Sequence, residues 1–314
     1  MREHAPSQTS LSIITPSYRN DLALAQRLCA SIDQYFVGDY EHVLVVPRRD
    51  VPLFSALQGP RRRLVTQDEV LRKTGVRPLP LPARVFIPGR GWRTLHGQWA
   101  SLAGRVSGWI VQQIIKLSAP SIARWDLVVF MDSDVQLIRP LSREMFLDGG
   151  QVVLNRSEMR ADLVQHQRWL ETARKLCGVL ERDAPTYNYV GQLIAWRSDN
   201  VRLLHAHLEK RFGRPWYKTL LSTGPFAEYI LYGVFCQSIL GGKAGHTFRP
   251  SELTCSVWTA SDEDIAEVAE RDVRSSHVAL HIQSKIPMTD HQRERAMSAA
   301  TRRAEALRQW ESTK

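Results

Sequence analysis

The chain has 314 residues and a mass of 35.8 kDa, and it is 43% hydrophobic and 24% charged, a globular composition that excludes extensive disorder and suits one large domain or two small ones. Forty-two Lys and Arg against 32 Asp and Glu leave a net charge of +10 and a pI near 9.7, which points to an anionic partner: a nucleic acid, a membrane surface or a phosphorylated substrate. Four scattered cysteines (Cys29, Cys177, Cys236, Cys255) with no C-x-x-C pair, and no apolar run of membrane-spanning length, argue against a zinc finger, a disulfide framework and an integral span, so a cytoplasmic location is expected.

The polar first ten residues are expected to be disordered, ahead of one domain over 11–286 and a charged helix over 287–314. Leu11 to Thr15 reads as a strand ended by Pro16. Asp21 to Phe36 reads as a helix with Ala25, Leu28, Cys29 and Ile32 on one side. His42 to Val46 is a second strand, and Leu64 with Val65 marks a third. This rhythm predicts βαβ units and a mainly parallel sheet. Between Arg48 and Arg93, eleven Arg or Lys face only Asp50, Asp68 and Glu69, so this stretch holds +8 of the charge. Within it, residues 75–93 carry four prolines and three glycines and are expected to form a long surface loop bordering a site.

Ser107 to Ser118 follows as a largely buried helix. Arg105, Trp109, Gln112 and Lys116 fall on one stripe of it with Gln113 beside them, and the stripe serves equally as a ligand-facing or a solvent face. Asp126 to Asp134 is an apolar strand ending in Asp132-Ser133-Asp134. Residues i and i+2 of an extended chain point the same way, and ligands of parallel sheets bind beyond the carboxyl ends of the strands. Two hard oxygen donors there suit Mg²⁺ or Mn²⁺; the plainer alternative is a solvated turn.

The second half looks more helical. Asp199 to Phe212 is a helix closed by Gly213, and Thr223-Gly224-Pro225 opens another running to Leu240. Glu228, in its first turns, is favoured by the helix dipole, which alone could explain it; the same effect would keep it ionised as a general base. Ser261 could cap a helix through SDED. Val278 to Ile282 is an alternating strand whose His281 is either a core residue or a third metal ligand. Ser284 and Lys285 follow it and could meet a phosphate. A charged, Ala-rich helix starts at Asp290.

No G-x-G-x-x-G follows a strand, and neither G-x-x-x-x-G-K-[ST] nor G-x-S-x-G is present, which removes support for a dinucleotide dehydrogenase, a P-loop NTPase and a nucleophile-elbow hydrolase. The segments SIITPSYRND and VVFMDSDV resemble the opening strand and D-x-D strand of GT-A glycosyltransferases. More narrowly, RGWRTL, GWIVQQIIKL, MDSDVQLIRP, NYVGQLIAWR and FAEYILYGVF resemble a bacterial family of predicted glycosyltransferases catalogued as a domain of unknown function. The resemblance runs from about Leu11 to Lys285. It implies an α/β, GT-A-like Rossmann-type sheet flanked by helices, and a nucleotide-sugar donor, UDP- or GDP-linked.

By that resemblance Thr15, Pro16, Tyr18 and Arg19 would lie near the base and ribose. Asp132 would contact the ribose or sugar and metal-bound water, with Ser133 beside it; Asp134 would bind Mn²⁺ or Mg²⁺ directly and His281 would complete the metal site. HIQSKIPM departs there from the family's H-x-x-G-x-K-P-W form. Gln112, Gln113, Lys116 and Lys285 are assigned to the donor, and Asn188 and Gln192 to the sugar and acceptor. Glu228 is the chosen base if the reaction inverts the anomeric centre, which is favoured slightly over retention.

Competing readings are a sugar nucleotidyltransferase, which would carry a Gly-rich basic turn after its first strand, and a haloacid-dehalogenase-type phosphatase, whose nucleophilic Asp ends the first strand. A basic nucleic-acid-binding protein would explain the charge, but no helix-turn-helix, aromatic RNA-binding strand or zinc module is present. The charge is therefore assigned to a nucleoside diphosphate together with an anionic or lipid-linked acceptor, or to peripheral contact with the inner face of a membrane. Arg61, Arg62 and Arg63 are the residues expected to mediate one of these.

Overall fold

The strand Leu11–Pro16 is the centre of the fold, and every one of its residues is buried. A computed structural model describes residues 10–79, 84–94, 99–101, 104–180, 186–259 and 263–312. The expected disorder of the N-terminus, apart from Ser10, and the Ser261 cap lie outside these residues; the helix Ile265–Asp272 is capped instead by the Asp264 carboxylate on the Ala266 N–H.

Leu11–Pro16 pairs in parallel with Tyr40–Val46 on one side and Leu127–Phe130 on the other, and Arg62–Thr66 extends the parallel set. Ile194–Arg197 closes the sheet antiparallel to Leu127–Phe130, giving a mixed α/β fold with a parallel core. The central strands are buried on both faces, which is why Tyr40–Val46 and Leu127–Phe130 are mostly apolar, whereas the outer strand Arg62–Thr66 is partly exposed. Ile14, Val128 and Phe130 pack into the larger core, beneath Gly108–Leu117, Val164–Cys177, Ser198–Phe212 and Glu228–Val234. Ile13, Leu127 and Val129 alternate to the other face, against Leu28 and Ile32 of the helix Leu22–Tyr35.

A second sheet sets the position of His281. Val135–Leu137 runs antiparallel to Ala279–Ile282, with Val135 opposite His281, and Thr254–Val257 flanks the latter in parallel. The expected alternation does not hold, since all four residues of Ala279–Ile282 are buried. Leu280 and Ile282 are covered by Ala296, Met297 and Ala300 of the C-terminal helix Asp290–Ser312, while Val278 and Ala279 join the core beside Leu22–Tyr35. Both faces of the strand have a partner, and its one polar residue, the fully buried His281, faces Asp134.

The described parts of residues 75–93 are also more regular than expected. Arg84–Ile87 and Gly91–Thr94 form a hairpin turning through Pro88, Gly89 and Arg90, and Gly89 and Gly91 take the positive φ that this turn requires. Pro78 lies in an edge strand, where its missing N–H costs no ladder bond.

Within the Arg triplet, Arg62 is buried and structural, while Arg61 and Arg63 are exposed. Arg62 is 8% exposed; it donates to His42 Nδ1 (2.9 Å), the Cys29 carbonyl (3.1 Å) and Asp33 (2.7 Å). Arg63 binds Glu41 (2.8 Å) and the Ile122 carbonyl, and Arg61 lies over the Tyr40 ring. Arg62→Met is expected to destabilise the fold by about 3 kcal/mol, because it leaves the buried His42 Nδ1 and the Cys29 carbonyl without their donor; a denaturant midpoint equal to wild type would contradict this.

Gly233 lies where a helix meets Tyr189: a Cβ there would fall 2.3 Å from the ring, so only glycine permits this approach. All four cysteines are free and buried. Among the described residues no helix is long and apolar enough to cross a membrane.

Candidate active site

Parallel strands bring their carboxyl ends to one edge, and a cleft of about 650 Å³ opens there. Its walls come from three sources. The strand ends contribute Pro16, Tyr18, Asp21, Arg49, Gln67 and Asp132 to Asp134; the helix Gly108–Leu117 contributes Trp109, Gln112, Gln113 and Lys116; later segments add Gln192, Glu228, Ser284 and Lys285. Ser133 Oγ donates to Ser17 Oγ (2.9 Å), tying the two central strand ends together.

At the centre is a buried charge bridge. Lys116 is 3% exposed, and its Nζ lies 3.1 Å from Asp132 Oδ1 and 3.2 Å from Glu228 Oε1. It also donates to the Tyr229 hydroxyl (2.9 Å) and sits 4.5 Å from that ring's centroid. Burial alone would lower its pKa, but Asp132, Tyr229 and Glu228 raise it well above the ordinary lysine value, so the ammonium is charged. Glu228 opens the helix Glu228–Val234, and its N–H donates to Gln113 Oε1 (3.0 Å). Gln113 therefore positions Glu228. Burial raises the Glu228 pKa, and Lys116 only partly offsets this. The expected helix-dipole control of its ionisation is thus outweighed by desolvation.

Beside the bridge, Asp134 and His281 form a second pair. The register Val135–His281 places His281 Nε2 3.6 Å from Asp134 Oδ2, too far for a hydrogen bond. Both His281 nitrogens are buried without a partner, and so is Asp132 Oδ1 in hydrogen-bonding terms. Burial pushes the Asp134 pKa up, but the His281 imidazole and the Ser284 N–H (2.9 Å) more than reverse this and hold it low. An ionised carboxylate facing an unpartnered imidazole fits a shared divalent cation. Asp132 is turned towards Lys116 instead, and among the described residues no three His, Cys, Asp or Glu side chains converge as a complete ligand set. The remaining ligands would have to come from substrate oxygens and water.

Four sequence candidates lie off the cleft wall. Thr15 is fully buried: Arg62 donates to His42 Nδ1, so the ring proton is on Nε2 and is donated to Thr15 Oγ1 (3.0 Å). Arg19 turns away to the buried Asp50 carboxylate through its N–H (3.0 Å) and Nε (2.7 Å). Asn188 is buried behind the wall, and His281 sits behind Asp134. Arg105 is exposed in the strand Gly104–Val106, before the helix whose stripe it was expected to share.

Sequence reasoning missed Asp21, Arg49, Gln67, Trp99, His166, Trp169 and Trp258, all of which line the cleft. The i, i+3 spacing of His166 and Trp169 on one helix was the only readable signal among them. Gln67 and Gln192 each keep a buried Oε1 without a partner. Burial, then Asp134 and Asp132, raise the Asp21 pKa to about 6. Native protein therefore holds this proton above the unfolded value near 3.9, and stability falls between about pH 4 and pH 6, then levels. Asp21→Asn, measured without divalent cations, should gain melting temperature over wild type across that window. A difference independent of pH would contradict it.

A model described as "Family of unknown function (DUF6492)" matches residues 8–292. No curated protein matches the chain in sequence. Among solved structures, an active-site mutant of LgtC is 13% identical, with 91% of this chain and 95% of that one aligned at a TM-score of 0.48. Galactosyltransferase LgtC in complex with donor and acceptor sugar analogs is 13% identical over 94% and 96%, at 0.44. The apo WbbM bifunctional glycosyltransferase is 12% identical over 97% of this chain and 53% of that one, at 0.48. At these TM-scores the likeness carries no argument about activity.

Proposed function

The chain belongs to DUF6492, a family whose description states no activity, so its function has to be read from the cleft: we propose a GT-A-like glycosyltransferase that moves a sugar from a nucleoside-diphosphate donor to an acceptor hydroxyl. The observation that carries this is the Asp132–Lys116–Glu228 bridge beside the Asp134–His281 pair, at the carboxyl edge of a parallel sheet. A charged ammonium and the Asp134 carboxylate, with His281 behind it, would face a departing diphosphate, with a carboxylate nearby for the acceptor.

In this reaction the acceptor oxygen bonds to the anomeric carbon, the bond from that carbon to the diphosphate breaks, and its electron pair leaves on the nucleoside diphosphate. Glu228 takes the acceptor proton; its burial-raised pKa makes it a stronger base than an exposed glutamate. Lys116 supplies positive charge where the leaving group gains negative charge. Asp134 and His281, with Asp132 near them, would hold Mn²⁺ or Mg²⁺, which when bound adds further charge neutralisation. Pro16, Tyr18 and Arg49 border the base end, while Gln112 and Lys285 border the phosphates. Inversion follows from the role of Glu228 as base.

The test is nucleoside diphosphate release from a panel of UDP- and GDP-sugars with Mn²⁺ present and with chelator. One donor should turn over with metal, and no release from any donor would defeat the proposal. Asp134→Asn should weaken metal-dependent donor binding by at least tenfold in calorimetry, since it removes a charged ligand of the Asp134–His281 pair. Unchanged binding would remove the metal from this position.

A further inference from the structure

Trp169 and His166 are one turn apart on the helix Val164–Cys177, and Trp109 begins the helix opposite. The three rings stack. Trp109 and Trp169 have centroids 5.1 Å apart at 21°, and His166 and Trp169 are 4.9 Å apart at 26°. All three line the cleft, and Trp109 is 37% exposed. Packing alone does not call for such a stack at a cleft wall, where its outer face meets solvent.

The rim of the stack is polar. Asn188 Oδ1 accepts the Val190 N–H (3.2 Å) and lies 3.1 Å from His166 Nδ1. An oxygen already serving as acceptor takes a proton from Nδ1, which leaves His166 Nε2 as a bare acceptor. Burial lowers the His166 pKa, partly offset by Asn188, so the ring is neutral near pH 7. Trp169 Nε1 is a buried donor without a partner, and Gln192 Oε1 is a buried acceptor without one. Asn188 thus acts through His166 rather than by touching a ligand.

Trp109 precedes Lys116 by seven residues, about 10 Å along the helix axis. The stack is therefore displaced from the charge bridge. Asn188 ties His166 to the Val190 backbone, so the stack lies beside the segment that leads to Gln192. A flat π surface edged by one acceptor, His166 Nε2, and one donor, Trp169 Nε1, complements a ring with one C–H face and a rim of hydroxyls. A lipid chain would leave the polar rim unpaired, and a flexible peptide hydroxyl would leave the rings uncovered.

We propose that the Trp109–Trp169–His166 stack is the acceptor subsite and that the acceptor is a carbohydrate presenting a pyranose ring. This rests on the glycosyltransferase reading above for its role as acceptor, but not for its binding chemistry.

Saturation-transfer NMR with millimolar methyl β-glucopyranoside, methyl β-galactopyranoside and methyl α-mannopyranoside tests it, with sorbitol as the acyclic control. Thermal shift with UDP and GDP is read in parallel on the same proteins. At least one pyranoside should receive saturation on the ring protons of one face, and sorbitol should not. Trp109→Ala and Trp169→Ala should each weaken that pyranoside by about tenfold, and Trp109→Phe should retain most of it. The nucleotide shift should survive Trp109→Ala.

Equal saturation of sorbitol and pyranosides, or no saturation of any, overturns the proposal. Loss of the nucleotide shift in Trp109→Ala also overturns it, because the stack would then hold the base. Pyranoside binding by a wild-type protein that responds to neither nucleotide supports the platform and defeats the glycosyltransferase reading instead.

Discussion

Replacing Lys116 with methionine is expected to lower turnover by at least about 100-fold and to reduce stability by about 3 kcal/mol. The side chain is 3% exposed and has two carboxylates within 3.2 Å. Without the ammonium, Asp132 and Glu228 are left as neighbouring acids with no cation between them. Glu228 is as deeply buried as the lysine, so it would take up a proton rather than remain charged. The donor would lose the positive group facing its diphosphate. Methionine keeps the length and apolar stem of lysine, so packing around Phe130 and Tyr229 is largely preserved. Lys116→Arg should recover stability better than turnover, because a planar guanidinium cannot reproduce the compact bridge. Steady-state kinetics and thermal unfolding on the same preparations separate the two effects; a methionine variant with wild-type kcat would contradict the assignment.

The second large effect is expected from Glu228→Gln. This change is isosteric and keeps the N–H bond to Gln113, so the helix start at Glu228 should remain in place. It removes the base and half of the charge balancing Lys116. Turnover should fall by about 10³-fold, within the range for loss of a positioned base, while the donor-induced thermal shift is retained. The pH profile adds a distinct signature. Burial raises the Glu228 pKa, so the acid limb of the wild-type rate should lie above the ordinary glutamate range. That limb should disappear in the variant. A Gln variant with near-wild-type turnover would exclude Glu228 as the base and leave it a partner of Lys116.

Much of this site was legible in sequence because its residues sit at the ends of strongly apolar runs. Leu127–Phe130 announces itself as a buried strand, and the carboxylates that follow must then emerge at the sheet's edge. Lys116, Gln112 and Gln113 were visible as a polar stripe on an apolar helix, although the stripe could not reveal that Gln113 would hold Glu228. Distant partners were less readable. His281 meets Asp134 only through the register of two strands about 145 residues apart in sequence, which no local pattern encodes. Thr15 lies at the end of the first strand and Arg19 in the turn after it, yet one is held by His42 and the other by Asp50.

The fold followed the same rule. The parallel core, the helix Leu22–Tyr35 and the C-terminal helix were readable from periodicity. The hairpin Arg84–Thr94 was not, because proline density suggested an irregular loop, whereas Pro88 lies in its turn and Pro78 on a sheet edge. The basic excess was read as a functional surface. Of the triplet within it, Arg62 neutralises and satisfies groups within the fold, so neutralising all three arginines together would measure stability before it measured binding.

The central claim, that this cleft binds a nucleotide sugar with a divalent cation, is tested most directly by calorimetric titration of UDP- and GDP-sugars with and without Mn²⁺. One donor should bind with metal and lose at least tenfold in affinity when the metal is chelated. Absence of binding by every donor under both conditions would contradict it.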